Sequence, residues 1–220
     1  SGRLALGPRL AEFEERFAAY VGCRYAVGVS SGTTGLHLVV RALGLGEGEE
    51  VITTPFSFIA SANCLLFERA RPVFVDIDPK TLNLNPEWLE RALSPHTRAV
   101  LVVHVFGHPA DMDPILEFAG RHGLAVIEDA CEAVGARYLG RPVGTFGKAA
   151  VFAFYPNKQM TTGEGGMIVT GDAGLARLCR SLRNQGREEG AGWLDHARLG
   201  FNYRLDEMSA ALGLVQLDRL

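Results

Sequence analysis

Short, β-branched apolar runs alternate along this chain with longer stretches whose apolar residues recur at helical spacing. The runs YAVGV (25–29), EVITT (50–54), PVFVDI (72–77), AVLVVHV (99–105), LAVIED (124–129), AAVFAF (149–154) and GMIVTG (166–171) predict strands. Between them, Leu36, Val39, Val40 and Leu43 fall on one helical face, and SFIASANCLLFERA (57–70) reads as a helix. Asn85-Pro86 supplies an N-cap and first turn for EWLERAL. Asp113-Pro114 opens a helix that ends near Gly123, and a further helix runs from about Leu175 to Arg183. Near-continuous apolar strands separated by helices are what a mostly parallel sheet, covered on both faces, requires. The expected class is therefore α/β. No internal repeat or low-complexity linker interrupts the pattern, and the polar, Gly-rich segment 184–200 is expected to be a long functional loop.

Composition narrows the partners. At 220 residues and 47% apolar, the chain can bury one sizeable core. A net charge of −3, with both signs interspersed, gives no reason to expect a nucleic-acid or membrane-surface partner. The four cysteines, Cys23, Cys64, Cys131 and Cys179, are widely spaced. Free thiols, no metal site and a reducing, cytoplasmic setting are the expectation. No signal peptide or apolar run of membrane-spanning length is found. The opening SGRLALG lacks a methionine, and the closing LGLVQLDRL reads as an amphipathic helix without a Gly or Pro stop. A cut chain, with a domain missing downstream, is expected.

In an open α/β sheet, ligands bind beyond the carboxyl ends of the strands. After the first strand comes SSGTTG, small residues leading into a helix, which suit a phosphate as well as they suit an ordinary Ser/Thr cap. The spacing is not that of a dinucleotide-binding G-x-G-x-x-G. After EVITT come Phe56 and Phe58, aromatics that either close the core or stack on a planar ligand. After LAVIE come Asp129 and Glu132. An acid here could cap a helix, bind a ribose or metal, or hold a protonated ring nitrogen.

Lys158 sits between FAFYPN and the glycine-rich TTGEGG, where buried backbone flanks it on both sides. A desolvated lysine amine is a nucleophile that forms Schiff bases with aldehydes. Lys148, in GTFGKAA, mimics the end of a phosphate-binding P-loop. Pro142 replaces that motif's first glycine and Ala149 its hydroxyl residue, so the reading fails. Each feature alone is weak, but one cofactor uses all four. Pyridoxal 5'-phosphate needs an anion cradle, an aromatic cover, an acid at its ring nitrogen and a lysine for its aldehyde.

The blocks SSGTTGLHL, TPFSFIASAN, PVFVDID, IEDACEAVGA, FAFYPNKQMTTGEGG and GFNYRLDEMSAALGLVQL resemble the successive motifs of the DegT-type sugar-nucleotide aminotransferases. These belong to the fold type I, aspartate aminotransferase-like enzymes. The resemblance runs from about Gly7 to the last residue. It implies that residues 1–220 form the three-layer α/β/α large domain, with a smaller C-terminal domain absent. It implies Lys158 as the Schiff-base lysine, Asp129 as the partner of the pyridine nitrogen and Phe58 as the ring that stacks on the cofactor. Gly32 and Thr33 fall in the phosphate loop. Asn202 matches an asparagine that reaches the phosphate of a neighbouring subunit, implying a homodimer with shared sites.

Two positions depart from the pattern. Glu132 stands where a Gln or His often approaches the ring's 3-hydroxyl. Ala153 replaces a serine that often bonds the phosphate, a loss of ~1.5–3 kcal/mol if nothing substitutes for it. The implied activity is ping-pong transfer of an amino group from an amino acid, glutamate, to a keto group on a nucleotide-linked sugar. Rival readings on the same scaffold are a sugar dehydratase, against which Lys158 argues because those relatives carry histidine there, and an aromatic amine-forming synthase. A catalytically silent, sugar-nucleotide-binding regulatory homologue is the rival from another class.

Overall fold

Seven strands form a single sheet in the order β1-β9-β8-β5-β4-β2-β3. They are β1 (Tyr25–Val29), β2 (Glu50–Thr53), β3 (Arg71–Phe74), β4 (Thr97–Val103), β5 (Ala125–Asp129), β8 (Ala149–Ala153) and β9 (Gly166–Thr170). A separate two-stranded hairpin, β6 (Arg137–Tyr138) and β7 (Arg141–Pro142), lies between β5 and β8 in sequence. The helices are α1 (Pro8–Val21), α2 (Gly32–Ala42), α3 (Ala60–Leu66), α4 (Leu89–Ala92), α5 (Met112–His122), α6 (Ala173–Arg183) and α7 (Glu207–Leu217). This computed structural model describes residues 2–190, 192 and 194–220. Within the expected loop 184–200, Ala191 and Trp193 lie outside the described residues, as does Ser1 of the opening segment.

The sheet is mostly parallel, as its apolar strands predict. β3, β2, β4, β5 and β8 pair in parallel, whereas β9 runs antiparallel to both β8 and β1. Alternation along the strands separates the two faces. Leu101, Ile127, Val151 and Ile168 face a core shared with Leu36, Val40, Cys64 and Cys179 of α2, α3 and α6. Ala150, Phe152, Met167 and Val169 face Phe13, Phe17 and Leu214 of α1 and α7, while Val100, Val102 and Val126 face Ile115 and Phe118 of α5. Helices thus cover both faces, the three-layer arrangement expected. Among the described residues, no helix is long and apolar enough to cross a membrane, and no His/Cys/Asp/Glu group could hold a metal. All four cysteines are unpaired.

Several elements are shorter than the pattern predicts. The strand expected over 99–105 stops at Val103; the His104 N–H still bonds the Asp129 carbonyl at 3.0 Å, while its ring lies between Glu128 and the Ala110 N–H. The helix expected over 57–70 is regular only from Ala60 to Leu66, and 55–59 form a loop beyond β2. The strand expected over 72–77 ends at Phe74. Asn85 does act as a cap, accepting the Glu87 N–H at 3.0 Å, but it opens a 3₁₀ turn followed by the single turn α4. Helix α1 is absent from the expected elements. α7 closes at Leu217, before the end of the chain.

Candidate active site

The carboxyl ends of β5 and β8 lie side by side in parallel register, Asp129 opposite Val151. Asp129 is the last residue of β5 and is 5% exposed. Its Oδ2 accepts the Ser61 hydroxyl at 2.6 Å, and its Oδ1 accepts the Cys131 N–H at 3.2 Å. Beyond β8 the chain turns so that the Lys158 N–H bonds the Tyr155 carbonyl at 2.9 Å. Cross-bonds from Phe154 to the Gly165 carbonyl and from Thr162 to the Phe154 carbonyl brace that turn. The Lys158 side chain, 15% exposed, places Nζ 2.9 Å from Glu132 Oε1.

The third wall is the start of α2. Ser31 and Thr34 form a capping box, Ser31 Oγ accepting the Thr34 N–H at 3.1 Å and Thr34 Oγ1 accepting the Ser31 N–H at 3.0 Å. First-turn N–H groups have no partner within a helix. The cap accounts for Thr34 and leaves those of Gly32 and Thr33, both lining the cavity. The cap and the anion cradle are therefore compatible uses of one segment. Position 32 must be glycine, since a Cβ there would sit 2.7 Å from Cys131 Sγ and 2.8 Å from the Ala153 Cβ.

Lys158, Asp129, Glu132, Gly32, Thr33, Phe58 and Ala153 all line this one cavity of about 730 Å³. Phe58 stands at its mouth, three-quarters exposed. Glu132 holds Lys158 with one oxygen and accepts the Phe106 N–H at 3.1 Å with the other. Ala153 presents no hydroxyl to the cavity, so the first turn of α2 supplies the hydrogen-bond donors on that wall. Asn202 is not brought to the cavity. It is exposed and forms a bridge with Asn184. Burial, and then the charge of Asp129, push the Cys131 thiol well above its usual range, which makes it an inert wall and not a nucleophile.

Sequence reasoning did not select His104, Val105, Phe106, Tyr155 or Asn157, which also line the cavity. Phe106 has φ 54° and ψ 24°, a left-handed conformation uncommon for a bulky residue, and its ring meets Phe56 edge-on at 6.0 Å. The available signal was His104, a polar break in an apolar run, which marks the strand end where cavity residues begin.

A largely covered lysine amine, a carboxylate held as an acceptor, first-turn helix N–H groups and exposed aromatic rings around one cavity fit pyridoxal phosphate in donor set. Comparisons with known proteins agree. The chain is 48% identical over 216 residues to GDP-perosamine synthase of Caulobacter vibrioides, an alignment covering 98% of this chain and 58% of that protein. DesV of S. venezuelae, solved in complex with a ketimine intermediate, superposes with a TM-score of 0.95 at 47% identity, over 100% of this chain and 58% of that one. NtdA of Bacillus subtilis, solved with bound PMP, superposes with a TM-score of 0.92 at 35% identity, over 98% of this chain and 49% of that one. The chain thus spans about 58% of the length of the curated relatives it matches. The DegT/DnrJ/EryC1/StrS aminotransferase family model matches residues 1–220, and the chain belongs to that family.

Proposed function

We propose that residues 1–220 are the cofactor-binding large domain of a pyridoxal phosphate-dependent aminotransferase, completed by a smaller C-terminal domain. The amino group would pass from an amino acid, glutamate, to a keto group on a nucleotide-linked sugar. The observation that carries this reading is the convergence of Lys158 and Asp129, from neighbouring strand ends, on a cavity closed by the start of α2. Relatives named for nucleotide-sugar products support the acceptor class.

When bound, the cofactor supplies an aldehyde that carries the amino group and a ring that withdraws electrons from the substrate's Cα–H bond. The Lys158 amine would hold that aldehyde and, when free, would move the proton at Cα. The Asp129 carboxylate would hold the proton on the ring nitrogen. The Gly32 and Thr33 N–H groups would receive the phosphate at the positive end of α2, and the Phe58 ring would cover one face. Glu132 would approach the 3-hydroxyl side, and it orients the Lys158 side chain through its 2.9 Å contact with Nζ. Asn202 serves the phosphate of the partner site in a homodimer, a role consistent with its exposure away from its own cavity. Unpaired cysteines fit a cytoplasmic enzyme.

Glutamate added to the holoenzyme should bleach the near-visible absorbance of the lysine-bound cofactor, and a keto-sugar nucleotide should restore it. A panel of such sugars would identify the acceptor. Failure of every amino donor to bleach the band would contradict aminotransfer. For Asn202, mixing inactive Lys158→Ala and inactive Asn202→Ala subunits should recover activity in mixed dimers, and no recovery would contradict a shared site.

A further inference from the structure

Ser61 lies in the first turn of α3, is 2% exposed and does not line the cavity. Its hydroxyl nevertheless reaches across 68 positions of sequence to Asp129 Oδ2 at 2.6 Å, and it lies 2.7 Å from the hydroxyl of Ser57. From this geometry we infer that Ser61 is a positioning residue for Asp129, the end of a one-way hydroxyl chain that begins at Ser57. The inference rests on the reading of Asp129 as the partner of the cofactor's ring nitrogen.

The direction of the chain follows from counting protons. A hydroxyl has one proton to donate and two lone pairs, and an ionised carboxylate only accepts. Ser61 therefore spends its proton on Asp129, and Ser57 must donate to Ser61. Aligned hydroxyls polarise one another, so the final bond to Asp129 is strengthened by the one before it. With Oδ1 held by the Cys131 N–H, both oxygens of Asp129 are fixed before any ligand arrives. Such support from behind the site keeps a contacting group in its productive geometry.

A buried serine near a helix start ordinarily bonds a neighbouring backbone group, a local use that would need no distant partner. Ser61 does not do this. The chain also begins in the segment Pro55–Phe58, whose Phe58 covers the cavity mouth. The aromatic cover and the ring-nitrogen carboxylate are thereby tied through two hydroxyls, so displacing one disturbs the other.

The test uses the full-length holoenzyme and its Ser61→Ala, Ser61→Thr, Ser57→Ala, Ser57→Ala/Ser61→Ala and Asp129→Asn variants. Pyridoxal phosphate affinity, the position of its near-visible band and the melting temperature of the cofactor-free protein are measured. Ser61→Ala should weaken the cofactor about tenfold or more and move the band in the direction that Asp129→Asn moves it. Ser61→Thr should restore both, Ser57→Ala should give a smaller change of the same sign, and the double variant should fall short of additivity. If Asp129→Asn changes band and affinity while Ser61→Ala changes neither, the relay is wrong and the reading of Asp129 stands. If Asp129→Asn changes neither, that reading itself fails and the relay fails with it. Melting changes alone, with an unmoved band, would make Ser61 structural and overturn the inference. Should Ser61→Ala not fold, Ser57→Ala decides, and an unchanged band and affinity would overturn it.

Discussion

Glu132 joins Lys158 to the loop after β4: one carboxylate oxygen lies 2.9 Å from Lys158 Nζ, and the other accepts the Phe106 N–H. A neutral Gln at this position could not offer a charge to the amine. The ion pair itself is partly solvated, with the Glu132 side chain 38% exposed, so it contributes about 1 kcal/mol or less to stability. Glu132→Ala should therefore cost little in urea unfolding yet lower transamination about tenfold or more, because it removes the partner of the free amine and the acceptor that holds Phe106 in its left-handed conformation. Equal activity in the two proteins would show that the contact is only a surface ion pair.

Ala153 is the place to add what the site lacks. It is 6% exposed, lines the cavity and lies at the end of β8. Ala153→Ser should add a hydroxyl donor at the phosphate end and tighten pyridoxal phosphate by about tenfold, the equivalent of ~1.5 kcal/mol for a hydrogen bond to a charged group. Equilibrium titration of the near-visible band measures this. Weaker binding would mean that the hydroxyl instead strains the close packing of residue 153 on Gly32.

Glu207 caps a helix that is not its own. α1 follows the N-cap Gly7, which has no capping side chain, and the N–H groups of Gly7, Arg9 and Leu10 all bond the Glu207 carboxylate at 2.9 Å. Gly7 lets the carboxylate come this close, since a Cβ there would fall 2.6 Å from Glu207 Oε2 and displace it. Removing a buried carboxylate that serves three donors should cost about 3 kcal/mol or more. Glu207→Ala should lower the urea midpoint accordingly, with Glu207→Gln intermediate because it keeps one acceptor oxygen. A change within experimental error would contradict the capping role.

Glu50 carries a pH-dependent share of stability. Hydrogen bonds from Arg71 first, and then from Ser94 at 2.7 Å, hold its carboxyl below the usual carboxylate range while burial opposes them. A carboxyl lowered in the folded state contributes stability that is present above its unfolded value and lost as the pH falls through the folded one. Glu50→Gln should cost about 1.5 kcal/mol near neutrality, the low end for a charged hydrogen bond because Arg71 is largely exposed. Urea titrations should show the gap to wild type closing below about pH 4. A gap independent of pH would contradict this.

The parts of the structure legible in the sequence are those fixed by local pattern. Apolar runs located the strands, and because the parallel strands deliver their next residues to one edge of the sheet, Asp129 and Lys158 could be placed before their separation in space was known. The illegible parts depend on partners far along the chain. α1 starts with Pro8 but lacks a side-chain cap from its own N-cap residue, because the carboxylate that caps it, Glu207, lies 200 positions from Gly7. The antiparallel insertion of β9 between β1 and β8 is a matter of pairing, and its run GMIVT reads like any buried strand. Phe106 lines the cavity in a turn just beyond β4, where its N–H bonds Glu132, 26 positions away, a contact that no single stretch displays. Asn202 was named only by resemblance, and the fold leaves it outside the cavity.

The central claim is that Lys158 binds the cofactor's aldehyde. The full-length protein incubated with pyridoxal phosphate should show a near-visible absorbance band that borohydride fixes covalently and that Lys158→Ala abolishes. A band that survives in Lys158→Ala and is still fixed by borohydride would contradict the account.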